Sequence, residues 1–150
     1  MLTEKDKIKH LYNRAAFGLT LNDWQTKTDL KKSIVDLLKT PIKYTYLYTI
    51  TKEEVDAAKE KIKNLPKEEK KDLKKLLKAN VFELNNLWLN EMIHSPTQLN
   101  EKMALFWHGH FACRSTNPYF DQQYLDIIRK HALGNFATML NEISKTPAML

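Results

Sequence analysis

The chain has 150 residues, of which 43% are hydrophobic and 28% are charged, and its formal net charge is +6. This balance is typical of one folded domain and excludes an intrinsically disordered chain, while only three glycines favour helices over a turn-rich β architecture. A single cysteine excludes an internal disulfide and a zinc ribbon. The positive charge raises the odds of an anionic partner, but the lysines are spread along a mixed-charge segment, which favours an ordinary solvated surface, and the sequence contains no specific nucleic-acid motif.

The N-terminus carries no hydrophobic targeting segment. Its first residues, MLTEKDKIKHLYNRAAFG, are charged and amphipathic, so no signal peptide is visible. No apolar run reaches the roughly 18 residues that a membrane-spanning helix needs. We therefore expect no membrane span and favour the cytoplasm, and the sequence leaves the oligomeric state open.

Capping signals divide the start of the chain into helices. Thr3 caps a first helix, which Gly18 ends. A short helix follows around residues 22–27, and Thr28 caps the next one. Pro41 stops that helix, because proline removes a backbone donor and clashes with the preceding turn.

A β-like run and two charged helices follow. Residues 42–50, IKYTYLYTI, are rich in Tyr, Thr and Ile, but without a partner strand they predict an extended connector on the core. TKEE at residues 51–54 has capping-box spacing and opens a charged helix that Pro66 ends. A long helix then runs from about Lys67 to His94, with a lysine-rich first half. We predict that these two helices form a charged protruding pair.

Proline-containing signals predict the start of the later helices. SPTQ at residues 95–98 offers Ser as N-cap, Pro at the first helical position and Gln to complete a capping box. NP at residues 117–118 repeats the pattern and predicts a helix to about Leu133. Another helix covers residues 136–144, and TP at residues 146–147 opens one more. Because that last signal comes so near the end of the sequence, we expect a chain that has been cut short.

The stretch LFWHGHF, residues 105–111, holds two histidines among aromatic side chains. On the helix predicted to begin in SPTQ, His110 follows the apolar stripe and is predicted on the buried face, whereas His108 lies about 200° around the helix. Histidines at this spacing on a helix cannot chelate one metal, unless Gly109 breaks the helix and both imidazoles converge. His108 and His110 are therefore candidate catalytic residues and candidate ligands of a divalent metal, with both geometries left open.

Arg129 and His131 are the other candidate catalytic residues. Arginine is scarce beside lysine in this chain, and arginine is selected for bidentate or stacked contacts. In one alternative Arg129 pairs with Asp126. Arg14 lies near the end of the first helix, and a buried tie to a carboxylate of another helix is the favoured interpretation there. For His131 the alternative is a core histidine bonded to a backbone carbonyl. A nucleophilic Cys113 with His110 as base is the weakest hypothesis, because no acid orients the pair.

Four stretches together resemble a known bacterial family. NRAAFG near the start, EKMALFWHGHF in the middle, IRKHALGNF after it and SKTPAML at the end are similar, in order and spacing, to the N-terminal part of the domain-of-unknown-function 1800 family. The segment LWLNEMIHSPTQL is similar as well. The positions that match the family are Arg14, Phe17, Gly18, Phe106, Trp107, His108, His110, Phe111, Arg129, His131, Gly134 and Pro147. The resemblance makes Arg14 and Trp107 candidate binding residues, while Gly109 replaces an asparagine that the family commonly has.

The resemblance also carries expectations about the extent of the domain. In that family the domain usually continues far beyond the last of these motifs. Residues 1–150 are then the N-terminal portion of a larger domain that has been truncated after Leu150, and the missing C-terminal part of the same chain is the expected partner. The family supplies no established activity.

We expect an all-α fold, a compact multi-helix domain, and two functional hypotheses follow. In the first, His108, His110, His131 and Arg129 form a composite polar site with carboxylates from the missing part, suited to metal-dependent hydrolysis or redox chemistry. In the second, the chain is a non-catalytic helical module for interaction or assembly, and its histidines are structural.

Overall fold

The described part of the chain consists of helices and connecting segments, with no strand. A computed structural model describes residues 2–39, 45–113, 115 and 117–150. Within these ranges the helices are α1 (Glu4–Ala15), α2 (Leu21–Thr26), α3 (Leu30–Leu38), α4 (Lys52–Asn64), α5 (Lys67–His94), α6 (Gln98–His110), α7 (Pro118–His131) and α8 (Phe136–Ser144). The all-α prediction is therefore confirmed.

Side-chain caps begin several helices where the sequence predicts them. Thr3 and Thr51 each form a capping box with the acidic residue three positions later. Asn117 caps α7, whose first residue is Pro118. Each cap satisfies a backbone N–H that the helix itself leaves unbonded, which stabilises the fold by about 1 kcal/mol. After α1, Gly18 adopts a left-handed backbone with φ of 110°, a conformation that glycine reaches without steric cost.

The predicted start of α6 is wrong. The helix begins at Gln98, not at Pro96, and its N-cap Thr97 makes no side-chain capping bond. The hydroxyl of Ser95 accepts a hydrogen bond from the N–H of Thr97 at 3.1 Å, so it closes a turn ahead of the helix instead of capping it.

Two further helix boundaries differ from the sequence prediction. Asp29, one residue after Thr28, caps α3 through its side chain. Thr146 does not begin a helix, because its hydroxyl donates to the carbonyl of Ile143 in α8 at 2.7 Å and the residues after it form a turn. The predicted stop at Pro41 lies outside the described residues.

Two hydrophobic clusters hold the helices together. The larger cluster joins α5, α6, α7 and α8, and its buried side chains include Trp88, Ile128 and Met139. The smaller cluster joins α1 and α3 around Ile8, and Leu99 of α6 packs against it. Burying a large aliphatic or aromatic side chain stabilises a fold by roughly 1.5–3 kcal/mol, so both clusters contribute substantially. Helix α6 lies between the clusters and connects them.

The connector over residues 45–50 lies on the core, as predicted. Leu47 and Ile50 are buried. Gln122 of α7 holds the connector, because its amide oxygen accepts from the N–H of Thr49 at 2.7 Å and its amide nitrogen donates to the carbonyl of Ile50 at 3.2 Å. The first three residues of the predicted run lie outside the described part of the chain.

The charged helix pair consists of α4 and the first half of α5. Val55 anchors α4 in the interior, and α4 contacts α7. In α5, which is 28 residues and therefore about 42 Å long, no residue before Leu84 is buried. Within the described ranges, no helix has both the length and the apolar character needed to cross a membrane.

Candidate functional site

Arg129 of α7 lies at the centre of a buried polar cluster. Its Nε and Nη2 donate to the two carboxylate oxygens of Glu101 at 2.9 and 2.8 Å, which makes a bidentate ion pair. Its Nη1 donates to the carbonyl of Thr45 at 2.7 Å, and the carboxylate of Glu91 lies 3.5 Å from Nη2. The side chains of Arg129 and Glu101 are 2% and 3% exposed. The structure therefore has a buried tie between helices at Arg129.

Two uncharged side chains complete this Arg129 cluster. The indole N–H of Trp88 donates to Glu101 at 2.9 Å, and the side-chain amide of Asn100 donates to the backbone carbonyl of Arg129 at 3.0 Å. Burying a charge is costly unless it is both paired and hydrogen-bonded, and here both conditions hold. The cluster fastens α5, α6, α7 and the connector to one another.

Helix α6 buries a different face from the one that the sequence predicts. Asn100, Glu101 and Ala104 are buried, whereas Phe106 is 57% exposed. The prediction that His110 points into the core is wrong, since its side chain is exposed. The physical reason is that apolar residues occur on more than one side of this helix, and the bidentate ion pair fixes the side with Glu101 inward.

His108 and His110 lie on different sides of an unbroken helix. Helix α6 continues through Gly109 to His110, so the extended geometry that would let both imidazoles converge is not adopted there. The ring of His108 packs 5.2 Å from Trp88 and 5.8 Å from Tyr124, measured between centroids, although part of its surface stays exposed. Burial of the packed side lowers the pKa of His108. His110 packs instead against aromatic side chains of its own helix and the residue after it.

His131 and Trp107 fasten the end of α7 to its neighbours. The Nε2 atom of His131 lies 2.9 Å from a carboxylate oxygen of Glu142 in α8, so the predicted backbone-carbonyl partner is wrong. The indole N–H of Trp107 donates to the carbonyl of Ala132 at 3.1 Å, and its ring centroid lies 5.5 Å from that of Phe136. The structure therefore places neither residue in the Arg129 cluster.

Arg14 and Cys113 lie apart from this cluster as well. Arg14 is exposed in the last turn of α1 and forms no ion pair with another described residue, so a buried tie is wrong for this arginine. Cys113 is partly buried, and that burial raises the pKa of its thiol. A raised pKa favours the protonated thiol over the nucleophilic thiolate, which argues against the pairing with His110 as a catalytic unit.

A cleft of about 850 Å³ opens beside Arg129, between the α1–α3 region and the junction of α5 with α6. Charges of both signs line it and pair with one another. Lys27 lies 3.6 Å from Asp23, and Lys39 lies 2.8 Å from Asp36. The lining thus presents no field of a single sign that would select an anion or a cation.

Among the residues that the structure describes, no group of three or more His, Cys, Asp or Glu side chains is arranged to hold a metal ion. His108 and His110 do not converge on a common point in α6. Divalent-metal binding at these two residues stays a prediction.

Comparison with known protein families identifies the family of this chain. The family described as protein of unknown function (DUF1800) matches residues 10–150. The chain belongs to the DUF1800 family. No curated protein and no solved structure matches it. Membership of the DUF1800 family confirms the resemblance carried by the sequence motifs and transfers no activity.

The sequence pointed to Arg129 but gave no sign that Trp88, Asn100 and Gln122 would form buried hydrogen bonds between segments. The signal that could have found the inward face of α6 is Ala104, which is fully buried and lies one turn after Glu101. A small residue on a helix lets a neighbouring helix approach closely. A carboxylate on the same face is then brought within reach of a buried arginine.

Proposed function

We propose that this chain is a non-catalytic helical interaction module whose contact surface lies at the end of α6 and along α8. This aromatic surface consists of Phe106, Trp107, His110, Phe111, Phe136 and Leu140. Phe106 is 57% exposed and Phe136 is 49% exposed. Exposed aromatic side chains grouped in this way mark interaction sites, because their burial by a partner is strongly favourable.

The aromatic surface is a continuous cluster. The ring centroid of Trp107 lies 4.9 Å from that of Phe106 and 5.5 Å from that of Phe136. Phe111 stacks on Trp107 at 5.9 Å. The stretches LFWHGHF and HALGNF, which carry the family resemblance, therefore meet where Trp107 and Phe111 rest on the core and Phe106 and Phe136 are exposed. This meeting is the observation that carries the proposal.

The occupant that we propose for this surface is the part of the DUF1800 domain that follows the matched region. The family resemblance supports this choice, since the domain usually continues beyond these motifs and Phe106 and Phe136, which lie within two of them, are exposed here. The engaged state of the polar candidates supports a structural role for them. Arg129 is enclosed by Glu101 and the carbonyl of Thr45, and His131 is bonded to Glu142.

The test compares residues 1–150 with the longer product of the same gene. Phe106→Gln should destabilise the longer product by about 2 kcal/mol, because it removes a side chain that the partner region buries. The same substitution should leave residues 1–150 nearly unchanged, since Phe106 is already exposed there. Leu21→Gln is the matched control, because Leu21 is 75% exposed and lies on α2. Equal effects of Phe106→Gln on the free energy of unfolding of both proteins would contradict the proposal.

The second candidate is the composite polar site with metal-dependent hydrolysis or redox chemistry. One observation favours it: neither imidazole of His108 and His110 makes a hydrogen bond to another described residue, so their nitrogens are available to a ligand. Metal analysis of the longer product tests it. Stoichiometric divalent metal that is lost in His108→Ala and His110→Ala would support this candidate, and metal-free protein with unchanged variants would exclude it.

A further inference from the structure

Helix α5 has two apolar faces, and only one of them is used in the fold. Leu84, Trp88 and Met92 are buried in the larger hydrophobic cluster. On another side of the same helix, Phe82 is 68% exposed and Ile93 is 61% exposed. A helix with a single core-facing side ordinarily covers its remaining surface with polar residues. The second apolar face therefore needs a separate explanation.

The exposed apolar residues follow a heptad pattern. The exposed seam consists of Ala79, Phe82, Asn86, Leu89 and Ile93, and every one of these residues is exposed. Their spacing alternates between three and four residues, which assigns them to positions a, d, a, d and a of a coiled coil. The seam is about 21 Å long at the rise of an α-helix.

The identities of the seam residues fit a two-stranded parallel pair. Ile93 at an a position and Leu89 at a d position are the combination that favours two strands. Asn86 at the central a position is the polar residue that fixes register and strand number in such pairs. In a parallel pair the two copies of Asn86 meet in the same layer and can bond to each other.

Charges beside the seam are complementary in the same orientation. Lys78 occupies a g position and Glu83 occupies the following e position, and both are exposed. In a parallel coiled coil, a g residue faces the following e residue of the partner helix, so Lys78 of each copy meets Glu83 of the other. An antiparallel pair would instead place g against g and e against e. Lys78 and Glu83 are five residues apart and so are not neighbours on one helix.

We propose that the exposed seam of α5 binds a second copy of this chain as a parallel, two-stranded coiled coil. The core-facing side chains already hold α5 as a helix, so association does not have to supply the free energy of helix formation. Two heptads form a small contact, so we expect a weak dimer whose population depends on protein concentration. This surface is distinct from the aromatic surface, so the seam and the proposed function can fail independently.

The first experiment is sedimentation equilibrium of the 150-residue chain over a roughly hundredfold range of concentration. The chain should dimerise, and Leu89→Glu should weaken the dimer by at least about a hundredfold, because it places two carboxylates in the apolar seam. Leu38→Glu is the matched control: Leu38 is 61% exposed and lies on α3. Both variants should keep the thermal stability of the parent monomer. A chain that stays monomeric throughout, or a dimer that Leu89→Glu leaves intact, would overturn the proposal.

The second experiment tests orientation by charge reversal. Lys78→Glu alone and Glu83→Lys alone should each weaken the dimer by about tenfold, because two attractive contacts become repulsive. The double variant Lys78→Glu/Glu83→Lys should regain the affinity of the parent, since the two charges face each other again with their signs exchanged. A double variant that is as weak as either single variant would overturn the parallel register.

Discussion

Replacing Glu101 by glutamine tests how much the fold depends on the buried ion pair. Both oxygens of Glu101 accept hydrogen bonds from Arg129 at 2.9 and 2.8 Å. Glutamine keeps the size of the side chain, but it removes the charge and turns one acceptor into an amide donor that faces the guanidinium. Arg129 then keeps the carbonyl of Thr45 and the carboxylate of Glu91, which is 3.5 Å away.

The expected cost follows from these contacts. Removing one partner of a buried ion pair costs about 3–5 kcal/mol, because the other charge stays buried without compensation. Glu91 is close enough to offset part of that penalty, so we expect about 3 kcal/mol. For a chain of this size that loss lowers the melting temperature by about 6–12 °C.

Urea unfolding followed by far-ultraviolet circular dichroism measures this cost. The midpoint should fall in Glu101→Gln while the slope of the transition stays constant. Glu60→Gln is the matched control, since Glu60 pairs with Lys63 at 2.7 Å on the surface and both side chains are about 70% exposed. The control should leave the midpoint unchanged within error. Equal midpoints for the two variants would refute the claim that the buried pair stabilises this fold.

Three further predictions follow from the structure. Burial lowers the pKa of His108 below its ordinary value of 6.5, so the unfolded state binds this proton more readily and the associated stability is lost as pH falls below that value. His108→Gln should therefore flatten the fall in melting temperature from about pH 7 to about pH 5, and an unchanged slope would contradict this effect of burial. Gln122→Ala should cost about 3 kcal/mol in urea unfolding and speed amide hydrogen exchange in residues 45–50; unchanged exchange would count against its role as their anchor. Thr51→Ala should lower the free energy of unfolding by about 1 kcal/mol, because α4 loses its capping box. Circular dichroism should show a lower helix content, and no change would contradict that role.

The sequence was most informative where the controlling contact is local. Thr3, Thr51 and the Asn117–Pro118 pair act on backbone groups within three residues, so their patterns predict the helix starts correctly. The same local logic failed at residues 95–98, because the Ser95 hydroxyl can bond either to a helix start or to a tighter turn ahead of it. Two local arrangements of similar energy cannot be separated by pattern alone.

The inward face of α6 could not be predicted, because a distant residue decides it. Glu101 and Arg129 are 28 residues apart. Their ion pair offsets the free energy of burying the Glu101 carboxylate, so the helix turns Glu101 inward and leaves the phenyl ring of Phe106 exposed. A hydrophobic stripe alone favoured the opposite result and placed His110 in the core. The helix that carries the candidate histidines was therefore predicted correctly, but the residues that surround them were not.

The Arg129 cluster has a consequence for how the chain acquires its structure. Its hydrogen bonds join α7 to α6 and to the connector across sequence separations of 28 and 84 residues. These buried groups gain their full set of hydrogen bonds only when all the segments have arrived, so a partly assembled intermediate would hold incompletely bonded charges in a dry interior. Folding that depends on such distant contacts is slow relative to that of a simple helical bundle, and the helices around the cluster should gain and lose their protection together.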